Sequence, residues 1–284
     1  MSRGQVSSSL TEQVERLMAE SKARATAVSV HDLESGLRFS LRGDRWFHAA
    51  STIKVAVLLA LFRAVDEGRV RLDDSLHVRN RFFSAANGDP FQLNRDSDAM
   101  PELYQVIGQT AKISALAEGM ISASSNLATN LLLDFVGVAY ARNVLRDAQV
   151  EGVELRRGVE DHAAHEKGIN NEATADGLMT LLSALRGDFL TSKSKDQAIR
   201  ILLEQRFNSM IPAGVPPHAA VAHKTGEIST ACHDVGIVYL PEREPYIAVI
   251  LTEFDSEKGG RRETVAAISE AIYHSVMGMR GEIK

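Results

Sequence analysis

The sequence predicts an α+β protein: an antiparallel sheet flanked by N- and C-terminal helices, with an all-helical lobe inserted into it. Three observations predict this. Strand-like runs cluster near the start (25–31, ATAVSVH, and 37–41, LRFSL) and return after residue 218 (AAVAHKT, VGIVYL and YIAVILTEF). Between them helical periodicity dominates. Each end of the chain also carries one helical stretch, the N-terminal one amphipathic.

Taken in order, Ser9 followed by Glu12 is a capping-box pattern, and Leu10, Val14, Leu17 and Met18 share one helical face after it. The first two strands are joined by the turn LESG and read as a hairpin. From Ser51 to about Ala64 the pattern is helical, and Val55–Phe62 is apolar on every side, the mark of a helix buried all round. Residues 79–101 are polar and turn-prone (NGDP, RDSD) and predict a long loop. Helices are predicted through 102–120, 125–136 and 174–186, and an ordered loop over the aperiodic stretch 152–173. VGIVYL and YIAVILTEF flank the turn PEREP, and 262–277 closes the chain as a helix. The sequence thus divides into a lobe built from both termini (1–48 and 206–284) and an all-helical lobe (49–205) carrying Ser51, Ser124 and the 152–173 loop.

Composition narrows the function. The 284 residues are 44% hydrophobic and 24% charged, and the net charge is −5 with no basic run. That argues against a nucleic-acid or anionic-membrane partner; a small-molecule substrate and a monomer are the expectation. One cysteine allows neither an intrachain disulfide nor a cysteine metal cluster, and no metal or other cofactor is expected. The first residues lack the apolar core of a signal peptide, and Val55–Phe62 falls far short of the roughly 18 apolar residues of a membrane span. The sequence as written reads as cytoplasmic, or periplasmic or secreted if a leader has been removed.

Three short motifs carry chemistry. Ser51-Thr-Ile-Lys54 places a hydroxyl and an amine one helical turn apart at a helix start, and the apolar run behind Lys54 desolvates it. Desolvation lowers a lysine pKa toward that of a working base, which is what a serine nucleophile requires. A second S-x-x-K, Ser192 to Lys195, lies in the polar run TSKSKD and reads as solvated surface. Ser124-Ser125-Asn126 opens an amphipathic helix, offering a hydroxyl to pass a proton and a carboxamide to orient a carbonyl. Lys224-Thr225-Gly226 ends a strand. Its cation and hydroxyl suit a substrate carboxylate, and its glycine lets a ligand approach, with the N–H of Glu227 next in line for an oxyanion. His162-Ala-Ala-His165 matches no zinc-binding helix pattern and reads as surface. His223, His233 and Cys232 read as packed residues, and the absence of G-x-S-x-G argues against an α/β-hydrolase.

S-x-x-K, S-x-N and K-T-G in this order make the chain resemble the class A β-lactamases, across roughly residues 25–275. The segments HDLESGLRF, AASTIKVAVLLALFRAVDEGRVRLDDSL, MISASSNLATNLLLDFVG, KTGE and HDVGIV extend the likeness. The resemblance implies a metal-free serine hydrolase with Ser51 as nucleophile, Lys54 (or Glu160 through a water) as its base, Ser124 as proton relay, and Asn126, Lys224, Thr225, Gly226 and Glu227 holding substrate. It also implies a water-activating glutamate in the 152–173 loop. Glu160 stands about where that acid belongs, with Asp161 and then Glu166 as rivals. Three departures stand out: the usual Leu-Asn after the glutamate is missing, Ser125 replaces the usual aspartate, and the 79–101 loop is long enough to roof the site. A D,D-peptidase-like or esterase-like hydrolase of the same fold, or a penicillin-acylated binding or sensor module without turnover, are the alternatives.

Overall fold

The computed structural model describes residues 3–255 and 259–278. The chain opens with α1 (Arg3–Ser21), β1 (Ala25–Asp32), β2 (Arg38–Leu41) and the short β3 (Phe47–His48). A 3₁₀ turn over Ala50–Ile53 leads into α2 (Lys54–Asp66). The middle holds β4 (Ser75–His77), β5 (Phe82–Phe83), β6 (Pro90–Phe91), β7 (Thr110–Lys112), α3 (Ile113–Ser122), α4 (Asn126–Val136) and α5 (Val138–Asp147). Next come β8 (Val153–Glu154), α6 (His162–Glu166), β9 (Glu172–Ala173), α7 (Ala175–Arg186) and α8 (Ser192–Leu203). The chain closes with β10 (Ala220–Ile228), β11 (Ala231–Tyr239), β12 (Tyr246–Glu253) and α9 (Arg261–Gly278).

The predicted α+β class holds. Five strands pair in the order β10-β11-β12-β1-β2, antiparallel throughout, so first and last strands meet at β1 and β12. Side chains alternate between two cores as strand geometry requires. Ala25 and Ala27 of β1, with Ile247, Val249 and Leu251 of β12, face α2 and α7. Val28 and Val30, with Ala248 and Ile250, face α1 and α9. In α2, Val55 to Phe62 all have 0% exposure, so this helix is the hub of the larger core.

Several sequence expectations shift in detail. α1 starts at Arg3, so Ser9 lies inside the helix, where its hydroxyl accepts from Gln13 rather than capping. Leu10 and Val14 anchor that helix at its middle, and no proline stops it from propagating upstream. The stretch 102–120 is not one helix. Pro101–Val106 is a 3₁₀ turn, Gly108 turns the chain at φ +90°, and β7 then pairs with β4 before α3 begins. The 79–101 loop is built on a β5–β6 hairpin and a 3₁₀ turn at Arg95–Ser97. Helices α5 and α8 were not anticipated, and short strand pairs within 49–205 mean that the middle of the chain is not purely helical.

The 152–173 segment is ordered, as expected, and is closed at its neck. Val153 and Glu154 of β8 pair with Ala173 and Glu172 of β9, and β9 pairs in turn with Phe47 and His48, just ahead of Ser51. Inside the loop, side chains replace regular backbone bonding. Asn171 Oδ1 accepts from the N–H groups of Arg156 and Arg157, and the Arg157 guanidinium donates to the carbonyls of Ile169 and Gly158.

Candidate active site

Ser51 sits in the 3₁₀ turn ahead of α2, its entry set by Ala50 at φ +47° and by Ala50 N–H donating to His48 Nδ1. One turn on, Lys54 is completely buried, and its Nζ donates to Ser124 O (2.7 Å), Asn126 Oδ1 (2.7 Å) and Ser124 Oγ (3.1 Å). Burial pulls its pKa down to about 7, against the opposing pull of the Asp98 and Glu160 carboxylates. Lys224, on β10, is also fully buried and donates to Ser124 Oγ (2.9 Å) and Thr225 O (2.9 Å). Burial first, and the nearby Lys54 charge second, hold its pKa well below the lysine range.

Ser124 is thus the meeting point of two amines, held there by a left-handed backbone, φ +58°. A hydroxyl has two lone pairs and one hydrogen. With both lone pairs engaged by Lys54 and Lys224, its hydrogen is the part left for a reacting group. Asn126 bridges onward: its Oδ1 accepts from Lys54 while its Nδ2 donates to Glu160 Oε1 at 2.6 Å. Glu160, at φ +57°, also accepts from Ser97 Oγ at 3.4 Å. Left-handed conformations at non-glycine residues cost energy and gather where function demands them. Ala50, Ser124 and Glu160 are three such residues around one cleft.

The rival acids are placed differently. Asp161 is 2% exposed and caps α6, its oxygens taken by Ser84 Oγ, Ala85 N–H and Ala164 N–H. Glu166 is exposed at the end of α6. His162 is exposed and His165 pairs with Asn170. His223 and His233 are buried, the first against Asp234 and Asn208, the second against the His48 carbonyl. Cys232 is buried against Met210, and Ser192 lies exposed on the first turn of α8.

β10 is the edge strand of the sheet, and Gly226 brings it against the Ser51 turn. A Cβ there would stand 2.9 Å from Thr52 Cγ2 and 3.1 Å from Thr52 N. Glu227 directs its carboxylate away to Arg261 (3.0 Å) and Arg262 (2.7 Å). The resulting cleft has two halves that share Ser51. One, about 520 Å³, is bounded by Ser124, Thr225, Glu227, Arg261 and Arg262. The other, about 690 Å³, lies beneath the 152–173 loop against His48, Asn126 and Glu160. Ser97, Asp98, Arg261 and Arg262 were not singled out from the sequence. They lie in a turn-rich loop and at a helix start with no motif around them, and only the tertiary fold brings them to the site.

Known proteins resemble the chain in sequence and fold along most of its length. The family model described as "Beta-lactamase enzyme family" matches residues 9–276. The β-lactamase ROB-1 of Haemophilus influenzae is 27% identical over 255 residues, 88% of this chain and 79% of that protein. The β-lactamase AER-1 of Aeromonas hydrophila is 22% identical over 274 residues, 94% and 86% of the two. Among solved structures, a PBP-A mutant in acyl-enzyme complex with penicillin G superposes with a TM-score of 0.80 at 27% identity, covering 95% of this chain and 96% of the other. An ancestral class A β-lactamase superposes with a TM-score of 0.80 at 25% identity, covering 94% and 99%. With the family model matching nearly the whole chain and the fold in agreement, the chain belongs to the β-lactamase enzyme family, and the structures it resembles include class A enzymes.

Proposed function

We propose that the chain hydrolyses β-lactams through an acyl-enzyme on Ser51. The observation that carries this reading is the Ser124 hydroxyl, bonded from both Lys54 and Lys224, which joins the three motifs at one point. Neutral Lys54 keeps its two shorter bonds, to Ser124 O and Asn126 Oδ1, and turns its lone pair to Ser51. It takes the Ser51 proton as Oγ bonds to the lactam carbonyl carbon, and the N–H groups of Ser51 and Glu227 hold the oxyanion. The C–N bond then breaks. Ser124 passes its proton to the leaving nitrogen and is reprotonated by Lys54, so the amine is neutral again. Lys224 and Thr225 hold the substrate carboxylate. Glu160 next takes a proton from water, the hydroxide attacks the ester, and the Ser51 oxygen leaves with that proton. Asp161, with its oxygens occupied by backbone and Ser84, is the poorer base.

Intact-protein mass spectrometry with benzylpenicillin, with lactam absorbance followed in the same tube, tests the scheme. The wild-type chain should consume many equivalents and retain little adduct. Ser51→Ala should form none, and Glu160→Gln should hold one penicilloyl group per chain. A lasting stoichiometric adduct on the wild type would make it a penicillin-acylated binding protein. Unchanged turnover by Ser51→Ala would overturn the mechanism.

A further inference from the structure

The turn into α4 presents Ser124, and the first residue of α4 presents Asn126, to Lys54, yet the groups that fix the helix start come mostly from elsewhere in the chain. The Ser125 hydroxyl caps only the Ala128 N–H (3.2 Å). The Asn126 and Leu127 N–H groups both donate to Asp98 Oδ2 at 2.9 Å, and the Ser125 and Tyr104 hydroxyls approach the same oxygen at 3.3 Å. The other carboxylate oxygen accepts from Met100 N–H at 2.9 Å. Asp98 is 6% exposed and lies near the end of the 79–101 segment, and its neighbour Ser97 reaches Glu160. A buried carboxylate at a helix N-terminus is held by orphan N–H groups and by the helix dipole, and fixes the first turn in return.

We propose that Asp98 is a positioning residue for the reaction. Its carboxylate, delivered by the 79–101 segment, locks the first turn of α4 against Lys54 and supplies negative charge beside the buried Lys54–Lys224 pair. The charged groups facing Lys54 are Asp98 from this segment, Glu160 from the 152–173 loop and Lys224 from β10; the turn into α4 and its first residue contribute only the neutral Ser124 and Asn126. Asp98 also accounts for the raised pKa of the half-buried Tyr104, after burial itself.

The inference rests on the acyl-enzyme reading above, and turnover of benzylpenicillin by the wild type tests that reading separately. Asp98→Asn keeps the shape and removes the charge. We expect its kcat for benzylpenicillin to fall roughly 10- to 100-fold, the loss associated with a charge-assisted hydrogen-bond set, with KM little changed. The ascending limb of its pH profile should move to lower pH, because Lys54 loses a group that raises its pKa. The double variant Asp98→Asn/Ser125→Asp returns a carboxylate to the same helix start and should recover most of kcat and the wild-type limb. An Asp98→Asn enzyme with wild-type kcat and limb overturns the proposal. So does one that loses activity with an unmoved limb, or one that the second substitution fails to rescue. Should Asp98→Asn fail to fold, the double variant decides: a folded enzyme with the wild-type limb supports the proposal, and any other result overturns it.

Discussion

Two amines sharing one hydroxyl is an arrangement that two ordinary lysines would not tolerate. Ammonium groups repel, and both Lys54 and Lys224 are fully buried, so burial pulls both pKa values below the ordinary lysine range and the Lys54 charge lowers that of Lys224 further. With Lys54 poised at about 7, the rise of kcat/KM for benzylpenicillin with pH should have its midpoint near neutrality. Lys54→Arg, which stays protonated, should lower kcat/KM by roughly 10²–10⁴-fold, the usual worth of a general base. Stability carries the same signature. Both folded-state pKa values lie below the unfolded lysine value, so between about 7 and the ordinary lysine range the unfolded chain binds more protons. Unfolding free energy therefore rises with pH across that window, and the cost of burying the two amines is largest below it. Denaturant titrations at several pH values should show that rise, with a flatter slope in Lys54→Met.

At the scale of elements, the site is a contact between a strand edge, a 3₁₀ turn and a helix start. Gly226 sets the first contact, because the atoms nearest its missing side chain include Thr52 N and, at 3.2 Å, Ala49 O, the backbone that carries Ser51. Gly226→Ala should push that turn away and lower kcat roughly 100-fold, the effect of a displacement of about 1 Å at reacting atoms. Its melting temperature, read by circular dichroism, should move far less than its activity. The same elements show what the sequence made legible. The period-two strands and the all-apolar α2 announce themselves, and Ser51, Lys54, Ser124 and Lys224 stand in motifs whose residue types state their chemistry. Helix α8 did not, because its first turn is SKSKD and its apolar anchors, Ala198, Ile201 and Leu202, come only later. Asp98 was equally silent: an aspartate in a turn-rich segment looks like solvated surface until the fold carries it 28 residues along the chain to Asn126.

For the whole molecule, the helical middle and the sheet do not own separate cores. Ala27 of β1, Val235 of β11 and Val249 of β12 belong to one apolar cluster with Leu58 of α2, Leu116 of α3 and Leu182 of α7. Neither part can lose its packing without exposing the other, which favours cooperative melting. Scanning calorimetry of the ligand-free protein should give one endotherm, and two resolved transitions would show lobes that unfold independently. The net charge of −5 is spread through the chain without long like-charge runs, and no helix among the described residues is long and apolar enough to cross a membrane.

The narrow neck of the 152–173 segment has a consequence for how such a protein diversifies. The segment enters and leaves through paired β8 and β9, and β9 also pairs with the strand that runs into Ser51. Residues between the two strands can therefore lengthen, shorten or change composition while the ribbon keeps both ends in register. Glu160 is the exception: through Asn126 it reaches Lys54, so the segment's outer residues are freer to vary than the one that faces the site.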